Sequence, residues 1–488
     1  MLSLLVFLPL AGAAAVALLP RHRQMEARWL ALATSLVCLA LALTLFAAYD
    51  RGGEQFQFVD RHQWLSSRLA PFAIQYMLGV DGLSLPLVVL TAFLTTVAVL
   101  VSWDVQLRPK EYFAWLLVLE TSLLGVFSAL DLVLFFLFFE LELVPMYFLI
   151  SIWGTGRRIY SAWKYVFFTF FGSAFMLVGI LALGLAAGTF DMRELQAMGP
   201  LREAVLPAEA IFAFLMVGFG VKLPVVPLHT WLPDAHTDAP TAVSVILAGV
   251  LLKMGGYGIL RLCLSILPEV AQQASLYLGA FAAASILYGA LATLMQDDLK
   301  RLIAYSSVSH MGYVLLGASA LGTVGLVGAS MQMFTHGLIT GLLFVMVGLV
   351  YERTHTREIR NLGGLAPHLP YLTVVMVFAG LASLGLPSLA GFVSEATVFL
   401  GTFPKHQALA IMGVLGVLLA AAYILWMVQR VFWGEPRRPW HGLREAVAWW
   451  ERVPTMALMA AILLIGLYPA VLMDLVELGV RPIAERLA

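Results

Sequence analysis

Five ionisable side chains lie inside long apolar runs: Glu120, Glu140, Lys222, Lys253 and Glu395. A charge at mid-bilayer costs at least about 2.5–3.5 kcal/mol on insertion scales, so such residues are functional candidates by default. Glu142, His229, His236, His310 and His336 form a second tier. A buried ammonium with no counter-ion gives up its proton readily, and one beside a carboxylate keeps it. At about 4 Å and an effective dielectric near 20 the attraction is about 4 kcal/mol. Opening and closing a contact between Glu140 and Lys222 would make the amine release and regain a proton. The plainer alternatives are a carboxylate that only hydrogen-bonds helices together and a lysine that snorkels to the water boundary. Lys253 lies too deep in its run for snorkelling.

Local sequence says how these groups are presented. Glu140 and Glu142 are two residues apart, about 200° around a helix, so at most one can face a given partner. Lys222 ends Gly218-Phe219-Gly220-Val221 and precedes Leu223-Pro224-Val225-Val226-Pro227, where the prolines break the helix. Unwound backbone at membrane depth survives only where it is buried in protein or lines a cavity. A second interruption, Ser383-Leu384-Gly385-Leu386-Pro387-Ser388, precedes Glu395. His310 and His336 lie between the lysines and Glu395 in chain order. An imidazole there suits proton relay, although a lone intramembrane histidine more often just packs and hydrogen-bonds.

The elements that must position these groups are membrane helices. Of 488 residues, 61 % are hydrophobic and 12 % charged, and mean hydropathy is +0.90; soluble domains hold about 45–50 % apolar and about 25 % charged residues. About fourteen apolar runs reach spanning length, which takes roughly 20 helical residues. The predicted architecture is an all-α polytopic membrane protein, a single domain over 1–488. Spans one to three cover about 1–104, two inverted five-helix repeats cover about 111–263 and about 270–433, and span fourteen covers about 455–478. Helices seven and twelve are the broken ones. With both termini outside, basic residues favour the inner loops roughly two to one; Arg261 counts among the outer ones and Lys300 among the inner. The stretch around 51–81 alternates, as in Gln55-Phe56-Gln57-Phe58-Val59 and Phe72-Ala73-Ile74-Gln75-Tyr76, and predicts a short β-hairpin on the outer, periplasmic face.

Basic and acidic residues both number 29, so nothing points to nucleic acid. Cys38 and Cys263 are far apart, and no metal-ligand spacing occurs. No metal and no cofactor are expected in this chain. A haem cytochrome using His310 and His336 as ligands lacks a second suitably spaced histidine in either span.

Four runs resemble the antiporter-like subunits of respiratory complex I. They are Glu140-Leu-Glu-Leu-Val-Pro-Met-Tyr-Phe-Leu-Ile-Ser-Ile-Trp-Gly, Pro227-Leu-His-Thr-Trp-Leu-Pro-Asp-Ala-His-Thr-Asp-Ala-Pro-Thr-Ala, Asp298-Leu-Lys-Arg-Leu-Ile-Ala-Tyr-Ser-Ser-Val-Ser-His-Met-Gly and Tyr351-Glu-Arg-Thr-His-Thr-Arg. Glu395 in the twelfth span, and no long lateral helix after the fourteenth, resemble the M-type branch, which has counterparts in the mitochondrial and photosynthetic complexes. The resemblance implies Glu140 and Lys222 as a coupling pair, Lys253 as central relay and Glu395 as terminal proton site. His310 and His336 would organise the relay, with Glu120 an accessory acid. It further implies a non-redox subunit of a proton-pumping NADH–quinone oxidoreductase, with L-, N- and K-like membrane-arm neighbours, in a bacterial plasma membrane or a thylakoid-type membrane. The Glu-Leu-Glu-Leu form is similar to photosynthetic-type relatives and leaves the electron donor, NADH or ferredoxin, open. A sodium/proton antiporter or membrane-bound hydrogenase subunit of the same fold is the nearest rival.

Overall fold

The computed structural model describes residues 1–65, 74–199, 205–436, 440 and 442–488. The chain opens with α1 (Leu2–Leu18) and α2 (Gln24–Ala48), crosses the two-stranded sheet of β1 (Gln57–Leu65) and β2 (Ile74–Val80), and continues into α3 (Ser84–Val101) and α4 (Pro109–Ser128). Next come α5 (Leu132–Leu141), α6 (Leu143–Trp153), α7 (Arg158–Ala187), the short α8 (Met192–Ala197), α9 (Ala208–Lys222) and α10 (Trp231–Asp238). The central helix is α11 (Thr241–Ile246), a π-helical turn over Leu247–Leu251, α12 (Leu252–Gly258) and a second π-helical turn over Ile259–Leu264. Then follow α13 (Pro268–Leu294), α14 (Leu299–Ser319), α15 (Thr323–Thr354), α16 (Pro370–Ser383), α17 (Ala390–Thr402), α18 (Gln407–Val428), α19 (Trp449–Leu467) and α20 (Ala470–Leu487).

Among the described residues ten helices are long and apolar enough to cross a membrane, and Leu2–Leu18 and Pro370–Ser383 are shorter apolar helices. Burial separates them. Every residue of the apolar window in Thr241–Leu264 is inside the protein, as is 94 % of that in α15, against 33 % for α19. An apolar helix with an uncovered face suits lipid, and one buried all round forms the core. The ionisable candidates sit on or against the buried helices. Close packing there uses small residues: a Cβ on Gly328 of α15 would come within 2.5 Å of the Val398 backbone nitrogen in α17.

β1 and β2 pair antiparallel, with His62 opposite Tyr76. Phe72 and Ala73, read above as part of the hairpin, lie outside the described residues. Two long apolar runs prove to be more than one element. The run at 132–153 is interrupted at Glu142, between α5 and α6, and still counts as one span. The run at 455–478 is the end of α19 and the start of α20, divided at Tyr468-Pro469, where the proline cannot continue a helix. A helix does therefore follow the last spanning one, and α20 packs against α15, α13 and α3.

Two basic residues assigned to loops are buried. Arg261 is 0 % exposed and its Nη2 donates to Asp81 Oδ2 at 2.6 Å. Lys300 donates to the Ala239 carbonyl at 2.6 Å.

Candidate functional site

Lys222 is the last residue of α9. The chain then turns through 223–230 before α10 begins. The carbonyl freed by the break is satisfied by the Trp231 indole, whose Nε1 donates to Val221 O at 2.9 Å. This is how irregular backbone is accommodated at membrane depth. The Lys222 amine contacts Glu142 Oε1 at the α5–α6 junction and lies 3.1 Å from Tyr165 Oη of α7. The Tyr165 hydroxyl donates to the other oxygen of the same carboxylate. Lys222 is 1 % and Glu142 0 % exposed. The aromatic faces of Phe139 and Tyr165 lie 5.4 and 5.0 Å from the amine.

The partner of Lys222 is thus Glu142, in place of the expected Glu140. The reason is helical phase. Phe135, Phe138, Phe139, Glu142, Met146 and Leu149 form a stripe at steps of three and four residues, and all are buried. Glu140 sits off that stripe, half-buried, between the exposed Leu137, Leu141 and Val144.

The second cluster begins at Lys253, in α12. Gly255, two residues on, packs directly on the Leu223 backbone beside Lys222, so the two lysines stand on touching segments. The Lys253 amine donates to Ala248 O, a carbonyl of the π-helical turn, and lies 2.7 Å from His336 Nδ1. The rings of His336 and His310 are 5.7 Å apart, and His310 Nδ1 stands 3.3 Å from Glu395 Oε1. On its other nitrogen His310 has Ser383 and Tyr423, both at 3.4 Å. Hydrogen bonds Thr335–Ser394 at 2.8 Å and Ser394–Gln332 at 2.5 Å tie α15 to α17 and fix His336 relative to Glu395. A small cavity lies among His310, His336, Thr340, Ser383 and Glu395.

The remaining candidates do not join these chains. Glu120 is fully buried in α4, and neither oxygen has a hydrogen-bond partner among the described residues. His236 stacks on Phe344 at 4.6 Å with both nitrogens unpartnered among the described residues, and His229 meets the edge of Tyr288. Tyr165 was missed by sequence reasoning. A tyrosine in α7 carries no signal until its helix is placed against α5. Among the described residues no group of three or more metal-ligating side chains gathers.

Two clusters of buried titratable groups thus lie among the interrupted helices of a polytopic membrane protein. Residues 129–420 match the family model described as NADH:quinone oxidoreductase/Mrp antiporter, transmembrane, and the chain belongs to this family. It is 42 % identical to NADH-quinone oxidoreductase subunit M of Rhodobacter capsulatus, covering 99 % of this chain and 96 % of that one. It is 43 % identical to NAD(P)H-quinone oxidoreductase chain 4 1 of Synechococcus sp. (strain JA-3-3Ab), over 96 % of this chain and 90 % of that one. Among solved structures it superposes on a chain of respiratory complex I from Thermus thermophilus with a TM-score of 0.90 at 32 % identity, each chain covered fully. A chain of the Mrp complex from Dietzia sp. shares the fold, with a TM-score of 0.86 at 21 % identity, covering 100 % of this chain and 99 % of that one.

Proposed function

We propose that the chain is a proton-translocating membrane-arm subunit of a quinone-reducing complex of the complex I type, working through the Lys222 and Lys253 clusters. The single observation that carries this reading is the wholly buried Lys222–Glu142 pair at a helix break, one packed glycine away from Lys253. A buried ion pair adds little to stability compared with apolar residues of the same size. Its presence among apolar helices is better explained by what it does when it opens.

Redox energy released in other subunits pulls Glu142 from Lys222, and the amine gives up its proton. The charge change is felt at Lys253, which passes a proton through His336 and His310 to Glu395. In this reading the chain holds no redox group, the hairpin face is the outer one, and the broken helices at 223–230 and 384–389 mark two inverted five-helix repeats within a fourteen-span fold. L-, N- and K-like subunits flank it in the bilayer. The names of the Rhodobacter and Synechococcus relatives, both quinone oxidoreductase chains, support it. So does a family description that spans oxidoreductase and antiporter members, since ion movement rather than electron transfer is what the two have in common.

The test is Lys222→Ala in the assembled complex reconstituted in vesicles. Electron transfer from donor to quinone should persist while proton translocation stops. Full coupled translocation would contradict the reading.

A further inference from the structure

Glu395 belongs to α17, but the helix break that precedes α17 sets where its carboxyl can lie. We infer that Gly385 is the positioning residue for Glu395: the space left by the missing side chain at 385 seats the carboxyl and keeps it facing His310; this inference rests on the pumping reading just given.

The break is built as a helix C-terminus. Leu384 closes α16 by donating its N–H to Gly380 O at 3.0 Å, and Gly385 follows with a φ of +77°. The Gly385 N–H reaches Ala382 O at 3.4 Å, and the Leu386 N–H returns to Leu381 O at 3.1 Å. This is the Schellman arrangement, in which the residue after the cap is left-handed and is usually glycine. Pro387 cannot resume the helix. The chain re-enters as α17, whose first turn packs so closely on the end of α16 that Gly391 has no room for a Cβ against the Ala382 carbonyl. Glu395 lies four residues on, on the same face, and is thereby brought onto the break.

The two carboxyl oxygens have separate neighbours. Oε1 stands 3.3 Å from His310 Nδ1. Oε2 lies where a side chain on residue 385 would begin: a Cβ there would be 2.7 Å from Oε2 and 3.7 Å from the carboxyl carbon. Among the described residues, chain neighbours aside, it would meet nothing else within 4 Å. A Cβ on Gly312 of α14, by contrast, would meet the Ala282 carbonyl and the Ile286 nitrogen of α13, both at 3.0 Å, as befits a glycine kept for helix packing. The open space at 385 is filled by Glu395 alone.

A methyl at 385 would push the carboxyl aside by several tenths of an ångström. The displaced group is the end of a flexible side chain, so the fold can absorb the change while the facing of Oε1 to His310 cannot survive it. His310 follows only by giving up Ser383 and Tyr423, which lie 3.4 Å from its other nitrogen.

The plain alternative is a helix cap, with glycine at 385 only because the conformation there is left-handed. Gly188 provides the control. It caps α7 with a φ of +71°, and a Cβ there would meet nothing within 4 Å. In the assembled complex in vesicles, Gly385→Ala should slow proton translocation about tenfold, since misplacement by about 1 Å can cost roughly 10²-fold. The ratio of rates in water and heavy water should rise, because transfer between His310 and Glu395 becomes limiting. Gly188→Ala should lower the thermal midpoint comparably and leave both rate and ratio parental. Gly385→Asn adds the same Cβ on a residue type that accepts the left-handed conformation, so it keeps the cap and should slow translocation likewise. A parental rate in either Gly385 variant, or slowing with an unchanged isotope ratio, would overturn the positioning role. Lys222→Ala is the control for the underlying reading. If it stops translocation while the Gly385 variants translocate as the parent does, positioning by Gly385 fails and the pumping reading stands. If Lys222→Ala itself translocates normally, the pumping reading fails first.

Discussion

The two buried clusters are built oppositely. Around Lys222 the charges are in direct contact: one amine, one carboxylate, and a tyrosine hydroxyl touching both. Around Lys253 the amine has a carbonyl and an imidazole, and the nearest carboxylate in the chain of contacts, Glu395, lies two imidazoles away. A contact pair holds its charge until something separates it, whereas imidazoles in file can pass a proton. In the proposed pumping role the first cluster is the switch and the second the conductor.

The largest effects are expected at Lys222. Lys222→Ala leaves Glu142 buried without a counter-ion, which costs about 3–5 kcal/mol when one partner of a buried pair is removed. The thermal midpoint of the assembled complex should fall accordingly. Lys222→Met combined with Glu142→Gln should recover most of that stability and still pump nothing; recovery of pumping would show that the pair is only structural. At the conductor, His336→Ala removes the imidazole that Lys253 contacts and should slow translocation by about 10²-fold, the size of a lost proton-transfer group. Stability should fall as well, by about 1–3 kcal/mol, because a buried side chain is lost and the Lys253 amine keeps only its carbonyl partner.

Smaller effects sharpen the picture. Ser383→Ala and Tyr423→Phe each remove one long hydrogen bond to His310. A bond of about 0.5–1.5 kcal/mol corresponds to a roughly two- to tenfold slower relay, read as the initial rate of vesicle acidification. Away from both clusters, Asp131 caps α5 through Val133 and Leu134 and also accepts from the Gln75 backbone. Burial raises its carboxyl to about 6. Because the folded value lies above that of the unfolded chain, its stabilising contribution is complete below about pH 4 and is lost as pH rises through about 6. Relative to Asp131→Asn, the parent protein should lose thermal stability across that interval. A flat difference would contradict it.

Much of this architecture is legible in the chain. Pro224, Pro227 and Pro387 announce the two breaks, because a proline removes a backbone donor wherever it falls, and Gly385 takes a left-handed conformation at the second. Apolar length finds the spans but not where a run changes direction, which is why 455–478 reads as one helix when Pro469 divides it. The choice between Glu140 and Glu142 was within reach. The aromatic stripe at 135, 138 and 139 extends by one turn to 142, and a two-residue spacing cannot serve both carboxylates. Arg261 was hidden for a different reason. A charge near the end of an apolar run counts as a loop residue until its partner is known, and Asp81 is 180 residues away. Which groups come together across such distances is decided by helix packing.

The most direct test of the switch is to measure protons translocated per electron pair, side by side, in complexes carrying Glu142→Gln and Glu140→Gln. Loss of translocation with Glu142→Gln and near-parental translocation with Glu140→Gln is the predicted result. The reverse order would contradict the assignment of Glu142 as the partner that holds and frees Lys222.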